Sequence, residues 1–357
     1  MNYAVILAGG RGERFWPLSR RTRPKQLQPI VGERSMLEET VSRISPLVKR
    51  DRIVIVSTRV LKRRITSLFP DLPADNLLFE PAGRNTALAI GYAAVSLCRQ
   101  HPRAKMIVLP ADHHIEDQAK FLSAVKTALD VAQSKLLVTF GIVPDRPETE
   151  YGYIRLGKLI HSEDEVEVYS ARAFTEKPNR KRAKAFLHSG NYLWNSGMFV
   201  WRVDAILEAM KEQMPRLHAR LMEFCDSQEA SDGGMSLSTL YRQSESISID
   251  YGVMENALNV AVVKADFRWD DVGSWSALQR LRERDEAGNI VVGRHLGEDT
   301  RETIVFSESG LVGTLGVSDL IIVRTEDVTL VAKKSRYADV RKLVDKLYEK
   351  EELKKYA

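Results

Sequence analysis

Short apolar runs alternate with helical patterns over residues 1–140. Residues 3–7, 52–57, 76–79, 105–109 and 136–140 read as buried strands. Between them, apolar positions near 35–46, 61–68, 85–100 and 117–133 follow helical spacing. Alternation of this kind predicts a parallel sheet with helices on both faces. Ligands of such sheets sit beyond the carboxyl ends of the strands. Residues 141–205 carry β-like runs edged by glycine or proline, in which Trp194, Phe199 and Trp201 read as core. Residues 205–257 are mainly helical in pattern, with a polar surface loop over 227–236, and 259–264 reads as another strand.

From Asn289 the texture changes. Short β-branched runs at 290–292, 303–306, 320–323 and 328–331 are separated by turn residues, which predicts a small all-β module. Residues 337–348 read as an amphipathic helix with apolar positions at 340, 343, 344 and 347. That helix packs on its own module or forms a dimer contact. The expected organisation is a domain over 1–285 and a smaller module plus helix over 286–357.

Composition narrows the class. A 357-residue chain has room for one large domain and a smaller one. No stretch of eighteen apolar residues occurs, so no membrane span is expected. The strand pattern begins almost at residue 1, which leaves no room for a signal peptide. Cys98 and Cys225 give neither a disulfide framework nor a metal spacing, and a cytoplasmic location is expected. Cys98 reads as a packing thiol. The net charge of +5 is concentrated near 20–25 and 177–184. No aromatic-interleaved basic stripe accompanies it, so a small polyanion accounts for these clusters better than nucleic acid does.

The chemistry centres on Leu7-Ala8-Gly9-Gly10-Arg11-Gly12-Glu13-Arg14, followed by Pro24-Lys25-Gln26. Three glycines directly after a strand permit a sharp turn whose successive N–H groups form an anion-binding concavity. Arg11, Arg14 and Lys25 add positive charge there. The loop lacks the lysine and hydroxyl ending of a P-loop, and Phe15 breaks a dinucleotide fingerprint. In Glu80-Pro81-Ala82-Gly83-Arg84-Asn85-Thr86, Asn85 or Thr86 could cap the following helix. The functional reading is base recognition: Glu80 accepts two adjacent guanine donors, and Arg84 or Asn85 donates to the acceptor edge. Asp112, after a strand end, suits a Mg²⁺ ligand, and Asp271 supplies a second carboxylate. His113 and His114 lack partners at zinc spacing. Glu176 and Asn195 are residue types that bond sugar hydroxyls, and Lys177 offers charge to a phosphate.

The ordered stretches LAGGRGERFWPLSR, PKQ, EPAGRNTA, LPADHHI, FGIVPDRPETEYGYI, FTEKPN, WNSGMFVW and DVGSW span residues 7–275. Together they resemble the nucleotidyltransferase family that makes nucleoside-diphosphate sugars. PAGRNTA with FWPLSR favours the guanylyl branch over thymidylyl or uridylyl relatives. The resemblance implies an α/β fold: a Rossmann-like mixed sheet in a nucleotidyltransferase domain, then a small C-terminal all-β, left-handed β-helix-like module and a terminal helix. It implies transfer of GMP from GTP to mannose 1-phosphate, giving GDP-mannose and pyrophosphate, with Mg²⁺ as cofactor. It implies no nucleic-acid or membrane partner and a homodimer through the C-terminal module.

By the same resemblance, Arg14, Lys25, Lys177, Asp112 and Asp271 are the catalytic positions, with Asp112 and Asp271 on the metal. Leu7, Ala8, Gly9, Gly10, Gly12, Glu80, Arg84, Asn85, Thr86, Pro110 and Ala111 fall on the nucleotide side. Gly152, Glu176 and Asn195 fall on the sugar side. Leu88, Asp145 and Glu150 depart from the family pattern and bear on sugar selectivity. Longer relatives carry an isomerase module, and isomerase activity is not expected here. Another sugar-1-phosphate nucleotidyltransferase, or a non-catalytic regulatory paralogue that binds nucleotide sugars, is the competing reading.

Overall fold

The computed structural model describes residues 1–227 and 234–357. The centre of the polar stretch expected as a surface loop, 228–233, lies outside the described residues. Contacts divide the chain into two compact units. The first comprises Met1–Gly9, Thr40–Ala111 and Ile115–Trp269; the second comprises Gly10–Glu39, Asp112–His114 and Asp270–Ala357.

The strands in chain order are β1 (Asn2–Ala8), β2 (Ile53–Thr58), β3 (Leu77–Glu80), β4 (Lys105–Pro110), β5 (His114–Ile115), β6 (Leu137–Ile142), β7 (Tyr153–Glu163) and β8 (Val166–Thr175). They continue with β9 (Tyr192–Arg202), β10 (Val260–Ala265), β11 (Trp269–Asp270), β12 (Ile290–Arg301), β13 (Ile304–Ser318), β14 (Leu320–Arg324) and β15 (Thr329–Lys333).

The first unit is built on a nine-stranded sheet in the order β3-β2-β1-β4-β9-β6-β10-β8-β7. β1 to β4 run parallel, with Ile6 beside Ile55 on one side and Leu109 on the other. They are near-continuous apolar runs because both faces are covered, as parallel strands require. β9 enters antiparallel to β4 and β6, which makes the sheet mixed. Helices Asn85–Cys98 and Val203–Gln213 place Leu88, Ile90, Ile206 and Met210 in one core with Val5, Val54 and Val108. Trp194, Phe199 and Trp201 are buried as the pattern implied. Cys98, half-buried at the end of its helix, packs against the same core, as expected.

The sequence pattern caught only the start of the β7–β8 hairpin. The strands are joined at Asp164-Glu165, both at positive φ, the geometry of a two-residue hairpin turn. Their outer halves are exposed, so the apolar signal fades while the strands continue.

In the second unit, β12 and β13 pair in parallel with a register shift between Val292 and Arg294, and β14 and β15 extend the sheet. Parallel pairing of consecutive strands without a crossover helix is the wrapping of a β-helix-like coil. Its core takes Phe15, Trp16 and Leu18 from the glycine-loop segment together with Trp275, Ile290, Phe306, Val340 and Val344. The last two belong to helix Val340–Glu349, whose Leu347 also packs on this core. Leu343, expected on the same face, is exposed instead. No helix among the described residues is long and apolar enough to cross a membrane.

Candidate active site

The sequence-predicted residues fall into two groups, one in each unit. In the second unit, Gly12 has φ +64, and a Cβ there would lie 2.4 Å from Lys25 Cβ and 2.9 Å from Ser19 Oγ. Only glycine accepts both that backbone and that approach. Arg14 follows in the short turn Glu13–Phe15. Gly10, by contrast, faces open space.

Lys25 is buried, and its ammonium meets three acceptors. It pairs with Asp112 Oδ2 at 2.8 Å and donates to the carbonyls of Asp271 (3.1 Å) and Val272 (2.8 Å). The lysine read as a phosphate ligand thus has an internal duty as well. Lysine has three N–H donors, and here each has an acceptor. The Lys25 charge and contact hold the Asp112 carboxyl below its ordinary range against the opposing effect of burial. The Asp112 carboxylate and the Asp271 main-chain carbonyl therefore meet at one ammonium group.

The turn carrying Asp271 is strained and braced. Val272 is fully buried at φ +47, a backbone region costly for a β-branched residue. Its N–H donates to Asp270 Oδ1 at 2.8 Å while its carbonyl is taken by Lys25. Arg280 grips both oxygens of Asp270. A Cβ on Gly273 would lie 2.9 Å from Asp271 Oδ2, so the carboxylate folds over that glycine. Asp112 and Asp271 offer hard carboxylate oxygens, the ligand type of Mg²⁺, which takes one or two carboxylates and fills its shell with phosphate oxygens and water. Two arginines of the 20–25 basic cluster are occupied internally: Arg20 grips Asp327, and Arg23 meets Glu308 at 2.6 Å.

In the first unit, the predicted nucleotide residues line the carboxyl end of the parallel strands. Leu7 and Ala8 end β1, Glu80 ends β3, and Pro110 ends β4 just before Ala111. The Leu7 carbonyl accepts the Ala111 N–H, and the Ala8 carbonyl accepts the Ser57 hydroxyl. Glu80 is buried. Its Oε1 accepts the Tyr241 hydroxyl at 3.0 Å, and its Oε2 lies 3.2 Å from where a Gly9 Cβ would be. Burial pushes its carboxyl up to about 7, only partly offset by Tyr241. The Arg84 guanidinium donates to the Tyr241 carbonyl.

Neither Asn85 nor Thr86 caps the helix in the ordinary way. Asn85 sits at φ +64 with its Oδ1 on the Thr86 N–H, and Thr86 Oγ1 accepts the Ile249 N–H.

Among the residues expected on the sugar side, a Cβ on Gly152 would lie 2.4 Å from Glu176 Oε2 and 3.3 Å from Asn195 Cβ, so the glycine is what lets the three assemble. Asn195 Oδ1 accepts from Thr139 Oγ1 (2.9 Å) and the Gly197 N–H, and its Nδ2 donates to Asp250 Oδ1 at 2.7 Å. Glu176 Oε2 is buried without a protein partner. Burial first, then the nearby Asp250 charge, pushes the Glu176 carboxyl up to about 7. Lys177 is half-exposed, 3.6 Å from Glu176 Oε1. Asp250, Glu255 and Tyr241 escaped the sequence reading. They lie in a helical stretch without glycine-rich motifs, and only the fold brings them to Glu80, Glu176 and Asn195.

The class follows from two matches. Residues 3–288 match the nucleotidyl transferase family model, and residues 293–347 match a mannose-phosphate isomerase/GMP-like β-helix domain. The chain belongs to the nucleotidyl transferase family and is a sugar-phosphate nucleotidyltransferase. Enzymes of this family generally work with a divalent metal. Among its relatives are mannose-1-phosphate guanylyltransferase of Escherichia coli K12 (38% identical over 97% of this chain and 73% of the relative) and the ManC enzyme of that name from Salmonella typhimurium (38%, with the same coverage). A crystal structure from Thermus thermophilus, described as a mannose-1-phosphate geranyltransferase, is 37% identical. It superposes with a TM-score of 0.86 over 97% of this chain and 99% of that one.

Proposed function

We propose that this enzyme transfers GMP from GTP to mannose 1-phosphate, releasing pyrophosphate. The observation that carries the reading is the gathering of Asp112 and the Asp271 turn around Lys25, behind a loop that only glycine at position 12 allows. The relatives' printed names supply the sugar and the nucleotide.

An oxygen of the sugar phosphate forms a bond to the α-phosphorus as the bond to the bridging α–β oxygen breaks, and pyrophosphate carries away the electron pair. A phosphate monoester is largely dianionic near neutral pH, so no general base is needed. Catalysis is then positioning and charge neutralisation. The loop N–H groups from Gly9 to Gly12 and the Arg14 guanidinium hold the leaving pyrophosphate. Lys25 contributes its charge from a fixed seat. Lys177 holds the attacking phosphate, and Glu176 and Asn195 take mannose hydroxyls. Glu80 accepts the guanine donors, and Arg84 or Asn85 faces its acceptor edge. Asp112 and Asp271 would hold Mg²⁺, which neutralises phosphate charge when bound.

The test is a panel of GTP, ATP, UTP and dTTP against mannose, glucose and fucose 1-phosphates, read by diphosphate release. GTP with mannose 1-phosphate is expected to dominate. Lys25→Ala and Asp271→Asn are each expected to lower turnover by about 10²–10³ with the fold intact by circular dichroism. Near-normal turnover in both variants, or no release with GTP and mannose 1-phosphate, overturns the reading.

A further inference from the structure

One segment outside every motif touches both sides of the first unit's site. The Ile247 carbonyl accepts the Ala87 N–H, and the Ile249 N–H donates to Thr86 Oγ1. The next residue has already reached the sugar side. Residues Asp250–Met254 form a single π-turn, closed by the Glu255 N–H on the Asp250 carbonyl at 2.9 Å. Such turns are rare and occur frequently at functional sites. In an α-helix, positions five apart lie on different faces. The π-turn instead joins Asp250 and Glu255 directly through that backbone bond.

Both carboxylates act on residues already assigned. Asp250 Oδ1 accepts from Asn195 Nδ2 at 2.7 Å, and Glu255 Oε1 accepts the Glu176 backbone N–H at 2.7 Å. The Asn195 amide is fixed at its other end by Thr139 and Gly197. Its oxygen is therefore committed inward, and its remaining N–H is left for a ligand acceptor. Glu176, held by its backbone, keeps Oε2 without a protein partner beside Gly152.

We infer that Asp250 and Glu255, presented together by this π-turn, are positioning residues: Asp250 fixes the donor face of Asn195 and Glu255 fixes Glu176, so that the pair meets the hydroxyls of the hexose phosphate. The inference rests on the reading of Glu176 and Asn195 as the sugar side. Neither positioning residue needs to touch substrate.

The test uses the 357-residue chain and whichever nucleotide and sugar 1-phosphate the wild type turns over best in the substrate panel. A preference for another sugar overturns the mannose reading while leaving this inference to be scored on that sugar. Asp250→Ala is expected to raise KM for the sugar phosphate about ten- to hundredfold, the usual loss for a hydrogen bond to a charged group, with KM for the nucleotide within about twofold. Asp250→Asn keeps an acceptor at Oδ1 and is expected to recover most of the loss. In an Asn195→Ala background, Asp250→Ala is expected to add less than about twofold, because its effect passes through Asn195. Glu255→Gln keeps its acceptor and stays near wild type, whereas Glu255→Ala follows Asp250→Ala. A purely structural role would instead lower the urea midpoint and raise both KM values together. That result, an unchanged sugar KM in Asp250→Ala, or full additivity with Asn195→Ala overturns the inference. If Asp250→Ala does not fold, Asp250→Asn and the Glu255 pair decide by the same split between the two KM values.

Discussion

At Glu80 the proposed recognition role and stability pull against each other. Its carboxyl is buried beside Tyr241 and lifted from 4.5 to about 7. Between those values the native state keeps a proton that the unfolded chain has released, so this group's contribution weakens as pH rises from about 4.5 to 7, and the penalty is complete above that. Glu80→Gln removes the penalty and retains an oxygen for the Tyr241 hydroxyl. The variant is expected to exceed wild type by on the order of 2–3 kcal/mol at pH 8, with the gap closing below pH 5. Urea unfolding at the two pH values measures it, and a gap independent of pH counts against the assignment. The same variant is expected to bind GTP more weakly, since an amide cannot accept two adjacent guanine donors with one oxygen. Glu80 itself was legible in the sequence, because it ends a strand and opens a Pro-Gly-Arg-Asn turn. Tyr241 was not, for it lies 161 positions away in a helical segment.

At the scale of the element, the Asp271 turn depends on its braces. Val272 is held in a left-handed conformation by Asp270 from the N–H side and Lys25 from the carbonyl side. Arg280 satisfies Asp270 through two bonds, which a lysine cannot reproduce. Arg280→Ala strands a buried carboxylate; because Arg280 is partly exposed, the expected cost is about 1–3 kcal/mol. Turnover is expected to fall at least tenfold as the turn relaxes, with Arg280→Lys recovering little. Urea midpoints and diphosphate release check both, and wild-type turnover in Arg280→Ala would show that the turn holds itself.

The parallel strands of the first unit were readable because burial on both faces leaves uninterrupted apolar runs, whereas the exposed outer halves of β7 and β8 were not. The placement of Asp112 after a strand end and of Asp271 on a glycine turn was readable. The inward occupation of Lys25 was not, since sequence shows a charge but not its partners. The paired use of Asp250 and Glu255 was hidden too, because helical spacing alone would put them on different faces.

On the scale of the whole molecule, the second unit joins the glycine-loop segment to residues 270–357. Trp16 Nε1 donates to the Tyr356 carbonyl at 2.7 Å, Glu13 pairs with Arg341 at 3.2 Å, and Val340 and Val344 pack on the core that holds Phe15. Deleting 337–357 removes two buried valines worth about 3–6 kcal/mol together. It also removes the Trp16–Tyr356 and Glu13–Arg341 contacts of the turn that carries Arg14. The truncated chain is expected to lose diphosphate release and to be cleaved faster by protease within residues 10–39. Full turnover in that chain would show that the loop holds its shape without the terminal helix.

The discontinuous make-up of that unit also bears on biosynthesis. The segment bearing Phe15, Trp16 and Leu18 leaves the ribosome more than two hundred residues ahead of the module that buries it. At roughly 5–20 residues per second, that is a wait of about ten seconds or more with aromatic side chains uncovered. The nascent chain is thus most open to misassembly at its own beginning, and the loop takes its final form only when the last coil has been made.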